Sequence, residues 1–228
     1  ELLSEFNQEE TKDSFIEFIN LNRKKILKSI DSYGNCEIDL TELKELYPKL
    51  FEYILYIPDI VLPLFNMILY NDVVFELNQE SIKLINFPEQ DEKFIRDIRS
   101  SDINTLICTE ALIRQVTNVK SIAKNIRYEC PSCGTIFNIT QKGDTISFPN
   151  SCSCGRKGNF KQLDSDNHDI QIMSIEEKHE DIENNHQPER IKMFLEGSLT
   201  DKEHTINHIP GTAVKVIGIV REELKYVR

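Results

Sequence analysis

Two short cysteine pairs separated by eighteen residues constrain this chain more than any other feature. Cys130-Pro131-Ser132-Cys133-Gly134 is a C-x-x-C knuckle, and Cys152-Ser153-Cys154-Gly155 is a second, shorter one. Four thiolates brought together in two closely spaced pairs suit tetrahedral Zn2+. A glycine after each pair lets the backbone turn beneath the metal with positive φ. The spacing predicts one structural Zn2+ held by Cys130, Cys133, Cys152 and Cys154. The alternative is a disulfide or redox pair, which the absence of a thioredoxin-type βαβ pattern disfavours. Four sulfur ligands would close the coordination shell, and no H-x-E accompanies them, so a catalytic zinc is not expected. The segments 135–139 and 145–148 read as the two strands of a ribbon hairpin with 142–144 at its tip. Cys36 and Cys108 lie among apolar residues and read as core.

The rest of the composition is ordinary for a globular protein. Of 228 residues, 39% are hydrophobic and 29% charged. The longest apolar run, residues 54–67, is broken by Pro58, Asp59, Pro63 and Asn66, so no membrane span is expected. The first residue is Glu1 and no secretory signal precedes the first helix, which together predict a cytoplasmic fragment of a longer chain. Net charge is −11, a balance that argues against indiscriminate nucleic-acid binding. The middle third departs from it: residues 101–165 carry 8 Lys+Arg against 5 Asp+Glu, and these residues also hold the cysteine cluster.

The first hundred residues read as helical. Phe15, Phe18, Ile19, Ile26, Leu27 and Ile30 fall on one face at a period near 3.6. Asp39 is placed to cap a second helix with Leu40, Leu43, Leu46 and Tyr47 along its inner stripe. Pro48, Pro58 and Pro63 punctuate the helical pieces that follow, to about Tyr70. Residues 73–77 and 82–85 then read as a hairpin. After Asp102 the chain turns to short β-branched strands, at 105–108, 111–116, 123–128, 170–175, 191–195 and 213–220. Short strands joined by turns, without long helices between them, predict a small barrel interrupted by the cysteine-rich insertion. The sequence contains no phosphate-binding glycine loop and no G-x-S-x-G elbow, and none of its five histidines has a nucleophile at a usable spacing. No enzyme site is therefore expected in these residues.

The order of elements, helical bundle, barrel and inserted ribbon, resembles the N-terminal region of archaeal minichromosome maintenance (MCM) replicative helicases. The local wording agrees. Ile95-Arg96-Asp97-Ile98-Arg99 followed by Leu112-Ile113-Arg114-Gln115-Val116-Thr117 resembles the family's first barrel strand. Tyr128-Glu129-Cys130-Pro131-Ser132-Cys133-Gly134 resembles the start of its zinc ribbon. Asp169-Ile170-Gln171-Ile172 with Glu176-Glu177, then Pro188-Glu189-Arg190, and finally Pro210-Gly211-Thr212-Ala213-Val214 resemble three later signatures in the same order. Departures are the C-x-C second pair, Ser121 in place of a proline after Lys120, and Thr212 where an acidic residue is usual.

The resemblance implies an α+β chain of several subdomains. A helical bundle with a small hairpin would occupy residues 1–98. An OB-fold β-barrel would form from 99–127 and 162–228, with a zinc ribbon inserted at 128–161. It further implies a homo-hexamer, or a double hexamer joined through the ribbons, that holds single-stranded DNA in its channel and admits duplex DNA. Other replication-initiation proteins would be partners and no membrane would be involved. ATP and Mg2+ would belong to a motor domain that these residues do not contain. Arg114, Lys120, Lys124, Arg127, Arg190, Arg221 and Lys225 are the expected DNA contacts. Repeated around six subunits, such cations focus positive potential into a channel although each subunit is acidic. Arg114 and Lys120, six residues apart on an extended chain, would share a face. One rival reading is a zinc-containing single-strand binder that resembles replication protein A. It calls for aromatic stacking platforms, and the absence of Trp counts against it. Another is an oligomerisation scaffold without DNA contact.

Overall fold

A computed structural model describes residues 6–31, 35–72, 82–141, 147–178 and 187–222. The chain is α+β and separates into two compact units. One comprises residues 1–113, 175–191 and 211–228; the other comprises 114–174 and 192–210.

The first unit begins with helix α1 (Gln8–Ser29), started by Asn7, whose side chain accepts the Glu9 N–H at 3.1 Å. Its buried face is Thr11, Phe15, Phe18, Ile19, Asn22 and Ile26. Leu27, expected on that face, is 42% exposed because it lies one step round from Ile26. Strand β1 (Cys36–Asp39) leads directly into α2 (Leu40–Leu46). Asp39 caps α2 as its sequence predicts, accepting the Glu42 N–H at 3.0 Å. Leu40 and Leu43 are fully buried, while Leu46, at the end of the helix, is exposed. Helices α3 (Pro48–Tyr56) and α4 (Pro58–Asp72) each open on a proline, where the missing N–H costs nothing. Pro63 departs from the expected punctuation and lies inside α4. The burial of Val61, Leu64, Phe65, Ile68 and Leu69 on the same helix offsets the bond it forfeits.

Strand β2 (Ile82–Ile85) pairs in parallel with β1, Cys36 opposite Ile82 through Asp39 opposite Ile85. The partner is therefore β1; the first arm of the expected hairpin, 73–77, lies outside the described residues. Three single 3-10 turns then carry the chain to β3 (Leu106–Val116). In this unit β3 pairs antiparallel with β8 (Ala213–Ile219), Leu106 opposite Ile219. Phe15, Phe65, Ile54, Leu69 and Cys108 belong to one continuous core. Cys36 and Cys108 are fully buried, and burial pushes both thiols up to about 11, as suits core residues.

The second unit is built on β4 (Lys120–Glu129), β5 (Ile136–Thr140) and the long β6 (Lys161–Glu176), whose last residues belong to the first unit. Strand β4 pairs antiparallel with both β5 and β6. The ribbon hairpin is therefore β4–β5, turned by the first knuckle; 147 and 148 are not in a strand, and 142–146 lie outside the described residues. Ile126 and Tyr128 on β4, Met173 on β6 and Leu195 on β7 (Arg190–Glu196) are buried. The hydrogen-bonded strand order is β5-β4-β6-β3-β8, with β7 beside β6, an OB-like sheet. A short helix, α5 (Lys202–Thr205), lies between β7 and β8.

Candidate functional site

The local structure of the two knuckles follows from their glycines. Gly134 has φ +74° and Gly155 has φ +89°. The Gly134 N–H donates to the Cys130 carbonyl at 2.8 Å, and the Cys130 N–H to the Thr135 carbonyl at 2.9 Å. In the second knuckle the Gly155 N–H donates to the Cys152 carbonyl and the Cys152 N–H to the Arg156 carbonyl, both at 2.9 Å.

These turns bring Cys130, Cys133, Cys152 and Cys154 together, all four sulfurs within 4.8 Å of one another. Cys130 Sγ lies 3.7 Å from Cys154 Sγ, and Cys133 Sγ lies 3.4 Å from Cys152 Sγ. A Zn–S bond of 2.3 Å gives a tetrahedron with an edge of about 3.8 Å, so the thiols are spaced for one ion. All four are free cysteines, with Cys130 and Cys152 buried and Cys133 and Cys154 exposed. The Cys154 N–H donates to the Cys152 sulfur and draws its thiol down to about 6. The Thr135 hydroxyl, 3.1 Å from Cys133 Sγ, lowers that thiol too. Donors aimed at these two sulfurs favour thiolate, the form that binds metal. At Cys154 the Arg156 N–H acts the same way, but the neighbouring Cys152 and Cys133 side chains outweigh it and push that thiol up to about 11. The donor set and its spacing therefore fit a four-coordinate Zn2+ with no position left for substrate.

The described cations among those predicted lie on β3, β4 and β7 and just after β8. Arg114 on β3, and Lys120 and Lys124 on β4, are exposed. Arg114 and Lys120 do not lie on one extended strand, so the shared-face argument does not apply. Residues 117–119 join the two strands outside either of them and are fixed to β6: the Thr117 N–H donates to the Ile172 carbonyl at 2.9 Å, and the Gln171 amide to the Thr117 carbonyl at 3.0 Å. Lys124 sits at a register shift, since Ala123 pairs with Asn167 and Asn125 with Asp166.

Arg127, Arg190 and Arg221 are exposed as well, and each holds a carboxylate. Arg127 Nε donates to Asp164 Oδ1 at 2.6 Å across the β4–β6 ladder. Arg190 pairs with Glu176, whose carboxylate is fully buried. Arg221 reaches Asp59 at 2.7 Å and Asn104 at 2.9 Å, joining the start of α4 to the residues after β8. Lys225 lies outside the described residues. Sequence reasoning missed these pairings, because each partner is at least 14 residues distant and no local pattern announces it. It also missed a bond between the knuckles, from Arg156 Nη1 to Ser132 Oγ at 2.9 Å.

Residues 94–223 match the family model described as the MCM OB domain. Among curated proteins, the chain is 25% identical to the minichromosome maintenance protein MCM of Saccharolobus solfataricus, over 92% of its own length and 33% of that protein. An uncharacterised MCM-type protein of Methanocaldococcus jannaschii is 28% identical over 46% of the chain and 16% of its own length. The chain thus spans at most a third of these curated relatives. Among solved structures, the N-terminal domain of an archaeal MCM superposes with a TM-score of 0.68 at 24% identity, covering 96% of this chain and 91% of that one. The likeness extends to the bundle as well as the sheet. Among the described residues no helix is long and apolar enough to cross a membrane.

Proposed function

The chain belongs to the MCM OB-domain family, and from that premise we propose that it is the DNA-binding and ring-assembling N-terminal region of a replicative helicase. One observation carries the reading. The segment matched to the family, 94–223, encloses both the four gathered thiols and the exposed cations Arg114, Lys120 and Lys124. In this proposal the subunits form a homo-hexamer, or a double hexamer, around single-stranded DNA during initiation and unwinding. Duplex DNA and other replication-initiation proteins are further partners, in the cytoplasm at the nucleoid. These residues perform no catalysis. ATP and Mg2+ act in a motor elsewhere in the full-length protein.

Cys130, Cys133, Cys152 and Cys154 hold one Zn2+. When bound, the ion supplies folding energy rather than reactivity, because four thiolates leave it no open position. Arg114, Lys120 and Lys124 supply phosphate contacts. Backbone contacts of this kind position the strand without reading its bases. At Arg127, Arg190 and Arg221 a carboxylate competes with phosphate for the guanidinium.

The test combines light scattering with fluorescence anisotropy on a labelled oligonucleotide. The expected result is an assembled ring that binds single strands tightly at low salt and weakly at high salt, without sequence preference. A chain that stays monomeric at every concentration and ignores DNA at low salt refutes the proposal.

A further inference from the structure

We propose that Arg156 is a positioning residue that fits the short second knuckle to the metal by bracing it against the first knuckle through Ser132. The inference rests on the reading that the four thiols hold Zn2+.

The two knuckles are the same turn with one residue removed from the second. In the first, hydrogen bonds to and from Cys130 close over Gly134 and Thr135, four and five residues on. In the second, the equivalent bonds at Cys152 close over Gly155 and Arg156, three and four residues on. Arg156 therefore occupies the place that Thr135 holds in the first knuckle. The backbone N–H groups agree, since that of Thr135 serves the Cys133 sulfur and that of Arg156 serves the Cys154 sulfur.

The side chains then diverge. Thr135 keeps its hydroxyl on its own knuckle, 3.1 Å from Cys133 Sγ. Arg156 instead sends Nη1 to Ser132 Oγ at 2.9 Å, and Ser132 is the second of the two residues between Cys130 and Cys133. One residue thus touches both halves of the site: its carbonyl and N–H fix Cys152 and Cys154, and its guanidinium holds the spacer of the other pair. A C-x-C pair has less chain than C-x-x-C with which to set its own sulfurs, so a tie to the opposite knuckle fixes what the shorter loop leaves undetermined. Outer residues that orient metal ligands typically change affinity by about 10- to 100-fold when replaced.

Zn2+ transfer from the whole chain to a chromophoric chelator tests this, using the parent, Arg156→Ala, Ser132→Ala and the double variant. Each single variant should release Zn2+ about tenfold faster, and the double no faster than Arg156→Ala, because both remove one brace. Co2+-loaded protein gives a second readout. All four thiolates remain, so the sulfur-to-metal charge-transfer band persists, while the d–d bands shift as the tetrahedron distorts. Parent-like release by Ser132→Ala, or additive acceleration in the double variant, overturns the brace. A parent chain that binds neither metal refutes the zinc reading itself, a result distinct from a parent that binds metal and variants that release it at the parent's rate.

Discussion

Replacing Arg114 and Lys120 together by Ala should change the salt dependence of DNA binding by a calculable amount. Each phosphate neutralised on a single strand contributes about 0.7 to the slope of log affinity against log salt. Both side chains are exposed, and the segment between them is fixed to β6 through Thr117, Gln171 and Ile172. Two lost contacts should therefore flatten the slope by about 1.4. Between 50 and 200 mM salt, the parent's affinity should fall about sevenfold more than the variant's. The ion pair between Arg127 and Asp164 supplies an internal contrast. Arg127→Ala should flatten the slope by less than about 0.7, because Asp164 competes with phosphate for its guanidinium. Asp164→Asn should steepen it by up to about 0.7, because a guanidinium is released to phosphate. Fluorescence anisotropy with oligonucleotides of several sequences, each titrated across the salt series, measures all four proteins. A double variant with the parent's slope, or a loss confined to one base sequence, would refute the assignment.

Other perturbations separate the parts of the molecule. Cys133→Ser should abolish protection of the amides of Gly134, Cys152 and Gly155 in hydrogen-exchange mass spectrometry, since structural zinc contributes about 10–16 kcal/mol in small zinc domains; α1, α3 and α4 should keep theirs, because their core contains no ribbon residue. Phe65→Ala should cost about 3–5 kcal/mol in urea unfolding, as Phe65 and the Phe15 ring stacked on it are both fully buried. The hydrogen bond from Arg221 holds the Asp59 carboxyl below its ordinary value. A depressed carboxyl adds stability above its unfolded pKa of about 3.9 and loses it as pH falls through the folded value. Asp59→Asn should therefore lower stability by no more than about 1 kcal/mol at pH 7, and the gap to the parent should close in acid; a gap that persists there would show the carboxylate's charge is not responsible.

What the sequence discloses depends on how far each constraint reaches along the chain. The knuckles were legible because ligand spacing and glycine turns act within five residues, and Asp39 was legible as a cap for the same reason. Helix α1 was legible through its apolar period, although Thr11 and Asn22 complete its buried face and carry no hydrophobic signal. Strand β1, Cys-Glu-Ile-Asp, gave no warning, because its partner β2 lies 46 residues away. The first half of β6 is the clearest failure. Lys161 to Asp169 contains three Asp, an Asn and a His and reads as a loop, yet it pairs with β4 from Ser121–Asp169 to Glu129–Lys161. Strand propensity measures fit to a neighbouring surface, and here β4 supplies the surface, with Arg127 meeting Asp164 and Asn125 lying 3.5 Å from Asp166. The same non-locality governs the cations. Arginine on a predicted strand looks alike whether solvent or a carboxylate faces it, and the carboxylates that engage Arg190, Arg127 and Arg221 stand 14, 37 and 162 residues off. Charge counted along the chain could therefore find the basic segment but not which carboxylate each cation meets, because the fold alone brings Asp164 to Arg127, Glu176 to Arg190 and Asp59 to Arg221.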